Sequence, residues 1–299
     1  MSGTPTFAVA PSFMGLTRFD RSAAYALAGI PLDIGVTNRT GARSGPAAVR
    51  VASRMLTDGD HPHFWIDPTK LDIADIGDFH IALGDLGESY RQIEAQAEGL
   101  NHLLAIGGEH GITLPILRTL HRKVGAPLGL VHFDAHVDTW PDNFGQVYGH
   151  GSPFYHAIEE GLIDPKRMIQ IGIRSPVQRE VWDWTIGKGV TILSAQDVHA
   201  MGPVAVAERV RQVIGGGPAY FSYDVDCLDP AFAPGTGTPE FAGILPWQSQ
   251  VILRSLTGID FVGMDVVEVA PAYDVSEITA LAAATVIWDY LGLIGSKTA

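Results

Sequence analysis

Short runs that are apolar throughout alternate with helical patterns along almost the whole chain, and this alternation constrains the fold more than any other feature. Residues 25–32, 72–76, 103–106, 128–133, 168–173, 191–193, 219–223 and 261–267 read as strands. Residues 89–101, 114–124, 177–186, 203–214, 246–256 and 278–291 read as helices, and residues 35–46 as a Gly-rich loop. A strand wet on one face alternates apolar and polar side chains, whereas a strand covered on both faces is apolar throughout, and strands joined through helices run parallel. The pattern predicts an α/β fold, a three-layer αβα sandwich around a mostly parallel sheet of about eight strands. No linker, repeat or low-complexity segment interrupts it, so residues 1–299 are read as a single domain, with residues 1–22 as an N-terminal packing arm. At 46% hydrophobic residues, a chain of this length can bury such a core.

Charge and cysteine usage narrow the function classes. The formal charge is −13 and no Lys/Arg run builds a basic face, which argues against a nucleic-acid partner. The single cysteine, Cys227, excludes an internal disulfide and fits a reducing compartment. No stretch approaches the ~20 apolar residues of a membrane-spanning helix. The apolar run at residues 7–16 is interrupted by Pro11 and lacks a basic leader. The expectation is a cytoplasmic protein with no membrane partner.

Three of the expected strand ends are rich in His and Asp: Gly107-Gly108-Glu109-His110, His132-Phe133-Asp134-Ala135-His136-Val137-Asp138, and Tyr223-Asp224-Val225-Asp226-Cys227. Ligands of such sheets bind beyond the carboxyl ends of the strands. In extended backbone, residues i, i+2 and i+4 point to one side, so Asp134, His136 and Asp138 share a face, and Asp224 and Asp226 share another. One Asp-x-Asp or one His in such a place is ordinarily a turn or a cap. Three clusters that can meet over one pocket with His110 are a different matter, because four crowded carboxylates repel unless cations lie among them. Two divalent ions would balance Asp134, Asp138, Asp224 and Asp226 and activate a water between them. Mixed His and Asp ligands without a thiolate disfavour structural zinc and suit Mn²⁺, with Ni²⁺ as the alternative.

These motifs, taken in order with Gly235-Thr236-Gly237-Thr238-Pro239-Glu240, resemble the ureohydrolase family of arginases, agmatinases and guanidinobutyrases over residues 7–291. The resemblance implies an arginase-like fold, two Mn²⁺ per chain and a homo-oligomer, trimeric or hexameric. It implies one ion held by His110, Asp134, Asp138 and Asp224, and another by Asp134, His136, Asp224 and Asp226. By the same resemblance His150 is the proton shuttle and Glu268 the guanidinium-binding carboxylate. The chemistry is coherent. A guanidinium resists neutral water, a carboxylate can grip its N–H groups in bidentate fashion, and a histidine titrating near neutrality can protonate the leaving amine. Asp138, the third expected catalytic residue, can accept a hydrogen bond from the attacking water.

Within the family, Gly29-Ile30-Pro31-Leu32-Asp33, Asn38-Arg39-Thr40-Gly41-Ala42-Arg43-Ser44-Gly45-Pro46 and Asp138-Thr139-Trp140 resemble the agmatinase branch. Ser152, Tyr155-His156 and Phe241-Ala242 depart from that branch and bear on the substrate tail or on subunit contacts. The expected reaction is hydrolysis of agmatine to putrescine and urea. Guanidinobutyrate, guanidinopropionate or another guanidine are the alternative small-molecule substrates. Asp142, Asn143, Tyr148 and Arg174 are the candidates for reading the tail, and Arg43 and Arg174 are the groups that would pair with an anionic one, with buried structural salt bridges as the equal alternative for both. His132 is read as a core histidine sharing the parity of Asp134, and Cys227 as a buried, inert thiol. A one-zinc amidohydrolase of similar fold would not use all six ligands, and a non-catalytic partner subunit would not need them.

Overall fold

A computed structural model describes residues 11–296. The expected apolar runs become β1 (Tyr25–Ile30), β2 (Ile73–Asp78), β3 (Leu103–Gly107), β4 (Leu128–Phe133), β5 (Ile163–Ile173), β6 (Thr191–Ser194), β7 (Pro218–Asp224) and β8 (Asp260–Val267). They form one sheet in the order β2-β1-β3-β8-β7-β4-β5-β6, parallel at every pairing. Successive side chains leave opposite faces, and both faces are dry. On β4, Leu128 and Leu130 enter one apolar cluster, while Val131 and Phe133 enter the other.

Helices α1 (Gly45–Ala52), α7 (Pro203–Ile214), α8 (Pro246–Arg254) and α9 (Ile278–Gly295) cover the Phe133 face through residues such as Val49, Val210, Ile252 and Ile287. On the other face α2 (Leu86–Ala97), α3 (Thr113–Val124) and α4 (Pro153–Glu159) pack Ile93, Leu117 and Phe154. With α5 (Arg179–Lys188) and α6 (Ala195–Met201) this completes the three-layer αβα sandwich.

The helices α1, α4 and α6 were not expected. Each has only seven or eight residues, too few for a clear helical period. A capping box, Ser194 with Asp197, starts α6 in place of a long pattern. Strand β5 begins at Ile163, ahead of the apolar run, because Ile163 already pairs with Leu128 of β4, with an irregularity before Met168 pairs with Leu130.

The expectation that no stretch comes near a membrane span needs correction. Helix α9, with 18 residues, is long and apolar enough by composition, but 78% of it is buried inside the fold. It is apolar all round because it is a core helix. Its buried Asp289 is held by His61 and Arg254. Of the N-terminal arm, residues 1–10 lie outside the described residues. Further along, Phe13 and Met14 are buried, and the Phe13 N–H donates to Asp75 at 2.8 Å.

What matters for chemistry is the middle of the sheet. Strands β3, β8, β7 and β4 are consecutive neighbours there, so their carboxyl ends bring the 107–110, 268, 224–226 and 134–138 segments to one place. The turn after β3 needs Gly108, because a Cβ there would stand 2.2 Å from the Leu32 carbonyl oxygen.

Candidate active site

The clustered residues do meet, though not on extended backbone. Strand β4 stops at Phe133, so Asp134, His136 and Asp138 lie on the loop beyond it, and Asp138 has φ 49. Asp224 is the last residue of β7, and Asp226 lies in the short 3₁₀ turn Val225–Cys227. One local device sets both segments. Asp134 Oδ1 accepts the His136 N–H at 2.6 Å, and Asp224 Oδ1 accepts the Asp226 N–H at 2.8 Å. In each case Oδ2 is left to face His110 Nδ1, at 3.0 Å from Asp134 and 3.4 Å from Asp224. Asp138 Oδ2 is 2.9 Å from the same nitrogen.

The hydrogen bonds behind His110 decide what that nitrogen is. Asp265, buried in β8, can only accept, and its carboxylate takes the hydroxyls of Ser222, Thr113 and Tyr220. The Ser222 hydroxyl is therefore a donor to Asp265 and an acceptor from His110 Nε2–H, at 2.8 Å. This leaves His110 Nδ1 as a bare lone pair facing three carboxylate oxygens, buried and without a hydrogen-bond partner. A lone pair aimed at acceptors is the arrangement that a cation resolves. With no cation, the carboxylates pull a proton onto the ring against its burial, and His110 titrates well above its ordinary range.

Candidate ligand atoms converge in two overlapping groups. His110, His132, Asp134 and Asp138 form one, and Asp134, His136 and Asp226 the other, with atoms within 4.8 Å of one another in each. Asp134 belongs to both. Burial, then repulsion from neighbouring carboxylates, pushes Asp224 well above the usual carboxylate range and also raises Asp226. Divalent charge is what such a cluster calls for. The donor set fits two ions.

His132 is the core histidine expected. Gln170 Nε2 donates to its Nδ1 at 3.1 Å, so Nε2–H donates to Asp134 Oδ2 at 2.8 Å, and the ring packs on Phe154. It thus also holds Asp134 in place. Cys227 is buried, and burial raises its thiol well above the ordinary range. Its place is the 3₁₀ turn and not a strand.

Glu268 follows β8 in the left-handed region, with φ 65, a conformation that costs energy and collects at functional positions. Its Oε1 accepts the His110 N–H at 2.8 Å and lies 3.2 Å from His150 Nδ1. Its Oε2 is buried and has no partner. For His150, burial works against the charged ring, but the hydrogen bond and charge of Glu268 outweigh it and hold the group at about 9. Glu109, under the same loops, accepts the Gly35 N–H at 2.7 Å, and burial lifts it to about 8.

A cavity of about 460 Å³ opens over these groups, lined by His136, Asp138, His150 and Asp224 at its base. Its mouth is built by Thr37, Trp140, Asp142, Asn143, Phe144, Ser175, Gln178 and Glu240, and Trp140 Nε1 donates to Gln178 Oε1 at 2.6 Å across it. Of the four tail candidates, Asp142 and Asn143 line the mouth, while Tyr148 and Arg174 do not. Tyr148 packs between Tyr90 and His156, under the Arg118 guanidinium. Arg174 donates to six backbone carbonyls, those of Gly172, Asp226, Cys227, Leu228, Glu240 and Phe241, and so ties the loops behind the site. Arg43 is bound to Asp33. The sequence reading missed Ser222, Asp265 and Gln170. A signal existed for the first two: Ser222 stands two residues before Asp224 on one strand, in register with Asp265 on the next. Thr37, Ser175 and Gln178 are single polar loop residues and gave none.

Comparison with known proteins places this geometry among relatives. The arginase family model matches residues 23–292. A guanidinopropionase of Pseudomonas aeruginosa is 44% identical over 99% of this chain and 95% of its own length. An agmatinase of Salmonella dublin is 42% identical over 95% of this chain and 92% of its own. The solved structure of proclavaminate amidino hydrolase from Streptomyces clavuligerus superposes with a TM-score of 0.92 at 35% identity, over 98% of this chain and 99% of that one.

Proposed function

The chain belongs to the arginase family, and from that premise we propose that it hydrolyses a linear guanidino compound with a cationic or neutral tail, agmatine first, to urea and an amine. The observation that carries the reading is Glu268: a buried carboxylate oxygen without a partner, beside the His/Asp cluster and next to a histidine. His110, Asp134, His136, Asp138, Asp224 and Asp226 would hold two divalent ions, Mn²⁺ by preference and Ni²⁺ as the alternative, which when bound lower the pKa of water toward neutrality. Glu268 grips the guanidinium N–H groups and orients its carbon. Asp138 accepts a hydrogen bond from the attacking water. His150 delivers the proton that the leaving amine requires.

The choice of tail rests on the mouth. Beyond the cluster, Asp142 and Glu240 bring negative charge to it, and no Lys or Arg is among its described lining residues. The two arginines that an anionic tail would need are engaged elsewhere, Arg43 by Asp33 and Arg174 by carbonyls. The acidic chain adds a long-range field that favours a cation and that salt screens. The kcat/KM for agmatine is expected to exceed that for 4-guanidinobutyrate and 3-guanidinopropionate, by a margin that narrows as ionic strength rises. A preference for either acid that survives Asp142→Ala would overturn the tail assignment and leave the hydrolase assignment standing.

A further inference from the structure

His150 is held from two sides, and only one of them is the Glu268 carboxylate. Its Nε2 receives the backbone N–H of Thr37 at 3.0 Å and lies 2.8 Å from the Thr37 hydroxyl. A backbone N–H cannot turn into an acceptor, so the nitrogen it meets must offer a lone pair. The ring proton is then on Nδ1, the nitrogen 3.2 Å from Glu268 Oε1. With Nε2 bare, the hydroxyl donates to it as well.

The loop that carries Thr37 is itself fixed. Gly35 N–H donates to the buried Glu109, and the Gly35 carbonyl accepts the His150 N–H at 3.3 Å. A side chain on Gly35 would meet Glu109 Oε1 at 2.5 Å, so loop and carboxylate are in close contact. Backbone and side chain of one short segment thus hold both the main chain and the ring of His150.

We propose, on the reading that His150 moves the proton, that Thr37 is a positioning residue whose two donors favour the neutral ring with Nε2 bare and its Nδ1–H turned to Glu268. Burial disfavours the charged ring, and the neighbouring carboxylates oppose burial. The hydrogen bond and charge of Glu268, and the charge of Asp138, favour the imidazolium. Thr37 adds two donors that, like burial, work against them. A shuttle works best when it can both take and give a proton at the working pH. Thr37 moves the ring toward that balance.

The test compares Thr37→Val, which removes the hydroxyl at nearly constant volume, with Thr37→Ser, which keeps it. Two readouts are used. In ¹⁵N-histidine-labelled protein loaded with Zn²⁺, a diamagnetic ion, the His150 signals are assigned by their loss in His150→Asn. Above the ring's titration at about 9, they should show a protonated Nδ1 and a hydrogen-bonded, unprotonated Nε2. Thr37→Val should move Nε2 toward the value of a free imidazole nitrogen and raise the His150 titration midpoint by about half a pH unit, as expected for one lost hydrogen bond. In the Mn²⁺-loaded enzyme with agmatine, kcat should fall roughly tenfold, within the range of general acid–base help, while KM and bound metal change little. Thr37→Ser should behave as the parent in both readouts. A neutral ring protonated on Nε2 in the parent, an unchanged His150 spectrum in Thr37→Val, or a Ser variant as impaired as the Val variant would overturn the assignment. The spectrum needs no substrate, so a protein that released no urea from agmatine would count against the proposed function and leave the Thr37 result to be read on its own.

Discussion

Asp134→Ala is expected to strip most of the divalent metal from the protein and to lower turnover by several orders of magnitude, and Asp224→Ala to do the same. Asp134 lies in both candidate ligand groups and touches His110, His132 and His136. Losing it would remove an anion common to both candidate ligand groups and release the histidines that it orients. Asp224 faces the same His110 nitrogen and positions the Asp226 turn through its other oxygen. The scale of the activity loss follows from what bound metal does to water, whose pKa falls from 15.7 to about 7 when a suitable ion holds it. Elemental analysis of the purified variants, together with circular dichroism to establish that they fold, checks this. Asp142→Ala, whose carboxylate caps a turn at the Gly145 N–H, serves as the control that keeps its metal. Full metal content and full activity in either main variant would contradict the ligand assignment.

His150→Ala and Glu268→Gln form the second large effect, with the opposite metal signature. Neither side chain lies in the ligand groups, so bound metal should stay near two ions per chain while turnover falls by ~10²–10⁴-fold. Glu268→Gln retains a side chain of the same shape, and with it the left-handed turn, but replaces one carboxylate oxygen by an N–H₂ that repels a guanidinium. Its loss should appear in KM as well as kcat, since the grip on the substrate is made before the reaction. The loss in His150→Ala should fall mainly on kcat, since the proton moves only as the amine leaves. Loss of metal from His150→Ala would show that the division between ligand and shuttle is drawn in the wrong place.

The layers of the fold were legible because strands buried on both faces cannot hide their composition. The order of the strands was not. Nothing in the chain announces that β8 inserts between β3 and β7, yet this insertion brings Glu268 beside His110. The Asp and His clusters were legible as clusters, but the expected reason, alternation on an extended strand, is replaced by loops in which each leading Asp caps the N–H two residues on. The repeated spacing reflects that cap. Tail readers were the least legible part. Arg174 reads in the sequence equally as a partner for an anionic tail or as a structural cation, and its six carbonyl partners come from segments far apart in sequence. Thr37 lies 113 residues from the histidine it holds, and no period or motif connects the two.

The most direct test of the two-metal reading is to follow urea release from agmatine while metal-stripped protein is titrated with Mn²⁺, with bound ions per chain measured at each point. The account predicts negligible urea from the stripped protein and a rise that levels off at two bound ions per chain. Urea release at full rate from stripped protein, a plateau at one ion, or no urea from agmatine or any other linear guanidino compound at two ions would contradict it.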